Sequence, residues 1–224
     1  MSTMMKTAFL VLTAMTFGNA DAQNYSKKTW GFLATFNGEF SNMERVRKGF
    51  TNHTTIRSIA KPVAVPAMGQ GPMMLLEVGE RHLIEFRQLF VLSDGEDNVV
   101  MLTPYNFTGC NNYSFGEFDS DVLSNLTKDD FWTDPDCVIG MEMIDSGFFF
   151  GDWPVCTTVA DGTHPAWGCS FTCNHISLTI PMEGDEVRNS IPYYLNRIGP
   201  KFPIINPPSN YVNPCDIQCL CDKC

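Results

Sequence analysis

The sequence predicts an all-β protein: an antiparallel β-barrel of the calyx, lipocalin-like kind, with one or two short helices and a Cys-rich C-terminal tail. Three observations predict it. Leu83–Leu92 is ten residues of β-compatible sequence, closed by the turn-rich tract Ser93–Asn98 and answered by a return strand at Val99–Thr103. Cys137–Ile144, Gly147–Gly151, Val155–Val159 and Phe171–Ile180 then read as short strands at close spacing. Apolar residues at 44% and aromatics at 12% mark a folded chain, and 224 residues are enough to bury one large core.

The elements follow in chain order. Lys6, the apolar Ala8–Phe17 and the small-residue site Ala20-Asp21-Ala22 have the form of a secretory leader, cleaved before Gln23. The apolar stretch is too short for a bilayer core of ~30 Å, so the expectation is a secreted, extracellular protein with no membrane anchor after cleavage. The expected organisation is a leader at 1–22, one barrel domain at 23–205 and a Cys-rich tail at 206–224. Ser41 or Asn42 is placed to cap a short helix running to Phe50. Strand texture begins at Met73, and Ser120–Phe131 reads as a short helix or helical turn with Leu123 and Leu126 inward. From Pro192 onward the chain is rich in Pro and Asn, and irregular structure is expected there.

Charge and cysteine usage narrow the function. Removing the leader takes out one Lys and one Asp, so the mature chain keeps the net charge of −10. That balance argues against nucleic acid, whose binding needs clustered Lys and Arg. Sequons stand at Asn24, Asn52, Asn106, Asn112 and Asn125, and glycans are expected on at least two of Asn52, Asn106, Asn112 and Asn125. The nine cysteines all lie between Cys110 and Cys224, and in an oxidising compartment most should pair. An odd number leaves at least one free, attached to a ligand, or bridging two chains of a homodimer. A hairpin turning at Asp145-Ser146-Gly147 would bring Cys137 and Cys156 within bonding range, and Cys169–Cys173 is the second pairing expected. His164, Cys169, Cys173 and His175 have a spacing that could suit zinc, but disulfides compete for the same thiols and no metal is expected. No Gly-x-Ser-x-Gly, P-loop or His-Glu-x-x-His motif is present, so no catalytic residue is named.

Six segments occur in an order shared with a known family. They are Gly38-Glu39-Phe40-Ser41-Asn42; Glu77 on its strand; Phe86-Arg87-Gln88-Leu89-Phe90; Leu123 with Leu126-Thr127-x-Asp129-Asp130 and Cys137-Val138; Phe148–Gly151 with Cys156; and Asn174-His175-Ile176-Ser177-Leu178. Over roughly residues 30 to 180 the chain resembles the phycobiliprotein chromophore lyases of the CpcT/CpeT type. These are small β-barrel proteins that bind open-chain tetrapyrroles (bilins). Leu89 stands where the family has a second Arg, His175 where it has Glu, and its closing Asp-Arg-Gly…Trp-Gly stretch is missing. Those departures, with secretion, put transfer to an acceptor protein in doubt while leaving the fold and the ligand class.

The resemblance implies a bilin of the biliverdin or phycocyanobilin type as ligand. Such a molecule needs aromatic walls, a cation for its propionates and an acid or carbonyl near its pyrroles. Arg87, Glu85 and Glu77 are the candidate ligand-binding residues, and Cys110 the candidate for a covalent thioether. Two arrangements of the Leu83–Leu92 strand remain open: the face with Glu85 and Arg87 lines the lumen, or that face is exterior and Phe86 and Phe90 are core. The expected function is a secreted bilin-binding pigment carrier or chromoprotein. The alternatives are a bilin lyase or isomerase, and a lipocalin-like carrier of another apolar ligand.

Overall fold

A computed structural model describes residues 25–80, 83–109, 114–118, 120–153, 156–159, 162–164, 167–179 and 191–216. The expected leader at 1–22, Cys110, Asn112 and the last three cysteines lie outside the described residues.

The strands are β1 (Gly38–Ser41), β2 (Arg57–Val63), β3 (Met73–Glu80), β4 (Leu83–Asp94), β5 (Val99–Phe107), β6 (Phe131–Trp132), β7 (Ile139–Asp145), β8 (Phe148–Trp153), β9 (Cys156–Val159), β10 (Gly162–His164), β11 (Trp167–Thr172), β12 (His175–Thr179) and β13 (Tyr193–Arg197). Ten of them form a closed antiparallel barrel in the order β4-β3-β2-β1-β13-β12-β11-β8-β7-β5, with β5 returning to β4. Closure leaves no free edge in the ring. The short β6 adds to β5, and β9 pairs with β10 as a separate hairpin.

Side chains alternate across each strand, which sorts the barrel wall into two faces. On β4, Phe90 and Leu92 turn inward with Phe86 packed against them, and Leu89 and Val91 turn outward. The lumen holds the larger core, built from residues such as Leu76, Phe90, Leu102, Met141, Phe149 and Leu195. A second core of Val63, Met73, Leu75 and Leu89 lies outside the wall, under Phe118, Leu123 and Phe131. Leu123 is fully buried there and Leu126 half-buried, as the sequence predicts. The turn between β7 and β8 also matches, with Gly147 taking the left-handed position (φ 76°) that a side chain would disfavour.

Among the described residues three short α-helices accompany the barrel: α1 (Lys27–Thr35), α2 (Met43–Arg47) and α3 (Ser120–Ser124). Helix α1 buries Trp30, Phe32 and Leu33, and Phe32 sets its ring edge-on to Phe149 at 5.1 Å. Its start is pinned to the end of β4, where the Asp94 carboxylate accepts from the Ser26 backbone N–H (2.8 Å), the Ser26 hydroxyl and the Thr29 hydroxyl (2.6 Å). The tail folds back over the same helix: Tyr211 donates to the Trp30 carbonyl at 3.3 Å, and Cys215 is buried beside Ala34.

Two expectations need correction. Tyr193–Arg197 is not irregular; it is the strand that joins β12 to β1 and completes the ring. Cys169 and Cys173 are not bridged: Cys173 bonds to Cys215 in the tail, and Cys169 is a free thiol. Four residues along an extended strand separate Cα atoms by ~13 Å, well beyond the ~7 Å limit of a disulfide. Cys137 is disulfide-bonded. The turn that carries it packs against β9, which begins at Cys156, but the Cys156 side chain lies outside the described residues.

Candidate functional site: the barrel lumen

The inward phase of nine strands and the C-terminal end of α1 enclose a cavity of about 70 Å3. Phe36, Leu76, Val78, Phe90, Leu102, Met141, Trp153, Trp167, Phe171, Leu178 and Leu195 form most of its wall. One end is aromatic. Trp153 lies 5.1 Å from Trp167, 5.4 Å from Phe86 and 5.6 Å from Phe90, each pair tilted edge to face. Such a cluster presents both ring faces and ring edges to a flat guest.

Polar groups are scarce in this wall. Ser58 carries the one hydroxyl among the described lining residues, and it is 4% exposed. Cys169 donates to the Gly151 carbonyl at 3.3 Å. Burial, with Asp152 adding to it, pushes the Cys169 thiol up to about 12. It therefore stays protonated at physiological pH and is no nucleophile, since the thiolate is the reactive form.

Two of the ligand-binding residues named from the sequence, Glu77 and Arg87, lie elsewhere. Glu77 and Arg87 are opposed across β3 and β4 on the outward phase. Arg87 Nε donates to Glu77 Oε1 at 2.6 Å and Arg87 Nη2 to the Ser114 carbonyl at 3.2 Å. The Gly116 backbone N–H donates to Glu77 Oε2 at 2.9 Å, and Phe118 stacks on the guanidinium, its centroid 4.7 Å from Cζ. The pair is almost fully buried, at 7% and 2% side-chain exposure, so it belongs neither to the lumen nor to a solvated exterior. Glu85 is on β4, with its side chain outside the described residues, as is Cys110.

The other named residues separate as well. Asn52 and Asn125 are exposed, Asn106 is half-buried, and its side-chain oxygen accepts from the buried Gln88 at 2.9 Å. His175 faces outward and donates from Nδ1 to Asn196 at 2.9 Å, so His175 and the bridged Cys173 do not converge on a metal. Among the described residues no group of His, Cys, Asp and Glu is placed to hold one, and no helix is long and apolar enough to cross a membrane.

Sequence reading missed Arg197. It follows Leu195 on the inward phase of β13 and pairs with Phe40 of β1, so it sits at the α1 end of the lumen. Its Cζ lies 5.0 Å from the centroid of the Phe40 ring, and Nη1 donates to the Asn37 carbonyl. Nε and Nη2 are shielded from solvent and make no hydrogen bond. The available signal was the alternation Tyr193-x-Leu195-x-Arg197, which puts a cation in phase with core residues.

No family model matches the chain, and no curated protein matches it. Among solved structures it is similar to the CRL protein of Arabidopsis, determined with selenomethionine. The TM-score is 0.54 at 18% identity, over 77% of this chain and 100% of that one. At that identity the likeness shows the fold alone.

Proposed function

We propose that this protein is a non-enzymatic carrier that holds a flat, largely apolar small molecule of the bilin class in the barrel lumen. The carrying observation is the aromatic end of an otherwise hydrocarbon cavity, where Trp153, Trp167 and Phe90 can sandwich a conjugated system. The order of segments shared with the chromophore lyases supplies the ligand class. The protonated Cys169 supports binding over attachment chemistry, and a thioether to Cys110 is the covalent variant of the same reading. Secretion, cleavage before Gln23 and N-glycosylation form part of it, with Asn52 and Asn125 the exposed acceptors described.

Size sets a condition on this reading. Sites for drug-sized ligands have volumes of roughly 300–1,000 Å3, and the cavity is about 70 Å3. A bilin must therefore displace side chains, and Trp153, Trp167 and Phe86 at the aromatic end are the ones to swing. The small volume favours a second reading, a carrier of a smaller apolar molecule. Titration with biliverdin and phycocyanobilin tests the first, read by the red absorption band and by quenching of tryptophan fluorescence. Unchanged spectra with both pigments would defeat the bilin reading. Pigment released on denaturation would remove the thioether and keep the site.

A further inference from the structure

The cavity wall is nearly free of polar groups, while beyond its α1 end a guanidinium has two donors unused. Arg197 Nε and Nη2 are shielded from water and unpartnered, while Nη1 is held by the Asn37 carbonyl. Nε and Nη2 point in parallel from one edge of the guanidinium plane. That edge receives a carboxylate side-on, through two parallel hydrogen bonds. Burial alone lowers the Arg197 pKa from its ordinary value, with no carboxylate opposing it. Glu39, next to Phe40 on β1, turns to the opposite face and accepts from Arg57 Nε at 2.6 Å. The site is also shaped for the cation: Gly38 lies beside it, and a Cβ there would collide with Arg197 Nη1.

The position links this cation to the cavity. Phe36 lines the cavity and its ring centroid is 6.5 Å from that of Phe40, whose centroid is 5.0 Å from Arg197 Cζ. The rings of Phe36 and Phe40 thus stand between the apolar space and the unused donors. An uncompensated buried charge is costly, and a partner that brings an opposite charge recovers that cost.

Resting on the carrier reading above, we infer that the lumen ligand bears an acid group and that Arg197 binds its carboxylate side-on at the α1 end of the barrel. The ligand is then amphipathic: a conjugated or aliphatic body among Trp153, Trp167 and Phe90, and a carboxylate that reaches past Phe36 and Phe40. A bilin propionate has this chemistry, and so does a fatty acid.

Matched acid and ester probes test it. Wild-type protein is titrated with biliverdin and biliverdin dimethyl ester, and separately with cis-parinaric acid and its methyl ester. Arg197→Gln is titrated beside it, its folding checked by circular dichroism and thermal unfolding. The expected result is an acid bound roughly 10- to 100-fold more tightly than its ester, as a charge-assisted pair contributes. Arg197→Gln is expected to lose that preference and keep the ester affinity. Equal affinity of wild type for acid and ester would overturn the inference and leave the carrier reading standing. Equal loss of acid and ester in a folded Arg197→Gln would reduce Arg197 to a structural role. If no probe of either pair binds, the carrier reading falls and this inference with it. Should Arg197→Gln fail to fold, the wild-type comparison decides alone.

Discussion

Glu77 and Arg87 face each other across β3 and β4, and the ion pair they make lies outside the barrel wall, beneath the segment that carries Ser114 and Gly116. It joins that segment to the sheet by charge-assisted hydrogen bonds in a place closed to water. Its role is therefore to fasten a cover, and a lumen ligand does not meet it.

Removing one partner leaves a buried charge without its counter-ion, at a cost of about 3–5 kcal/mol. Arg87→Ala is expected to lower the unfolding free energy by about that amount in urea titration, while ligand affinity in the lumen is unchanged. The double change Glu77→Leu with Arg87→Met should recover most of the stability. An Arg87→Ala protein of wild-type stability would contradict the burial of the pair.

The Cys173–Cys215 bond joins residues 42 apart, tying the tail to the turn between β11 and β12. A loop of that length contributes about 4 kcal/mol by restricting the unfolded chain. Cys215→Ser paired with Cys173→Ser should lower the thermal midpoint accordingly and expose Trp30, which Tyr211 covers. A red shift in tryptophan emission checks the second part.

Asp94 gives the protein an acid-side sensitivity. Burial would raise its carboxyl, but the hydrogen bonds from Ser26 and Thr29, with Lys28 nearby, outweigh that and hold it below its ordinary 3.8. A carboxyl lowered in the folded state stabilises fully above its unfolded value and loses that contribution as pH falls through the folded one. Asp94→Asn should cost about 1 kcal/mol near pH 7, discounted for its exposure, and flatten the fall of the thermal midpoint below about pH 4. A mutant whose midpoint falls as steeply as wild type's would show that Asp94 is not the group responsible.

Cys169 should resist thiol reagents in the folded protein. With the thiol held near 12 and facing the lumen, alkylation at pH 8 is expected to spare its peptide and to reach it promptly in denaturant. Rapid modification in the folded state would show that the lumen opens readily, which bears directly on ligand entry.

How legible these features were depends on how local their causes are. The β4 strand and its turn were readable because ten alternating residues and the tract Ser93–Asn98 are short-range signals. Its orientation was not, since Phe86 and Phe90 on one face and Leu89 and Val91 on the other are all apolar, and both faces are covered. Helix α1 escaped notice because Thr29, Gly31 and Thr35 are weak helix formers, and its stability comes from burying Trp30, Phe32 and Leu33 in the barrel. Strand β13 is five residues between Pro192 and Pro200, so its β character comes from the two strands it joins. The Glu77–Arg87 pair could be suspected from its residue types, but its partners in residues 114–118 follow only from the fold.

The pairing of β1 with β13 also dictates an order of events during synthesis. Arg197 reaches back to Asn37 across 160 residues, so β1 waits for almost the whole barrel to be made before it gains its second neighbour. Until then β1 and β12 each present an open row of backbone donors and acceptors, and the ring is a sheet with two sticky margins. Such long-range closure is slow compared with hairpin formation. The nascent chain is thus most exposed to wrong partners just before its last strand arrives, and a chaperone that shields β1 would act in that interval.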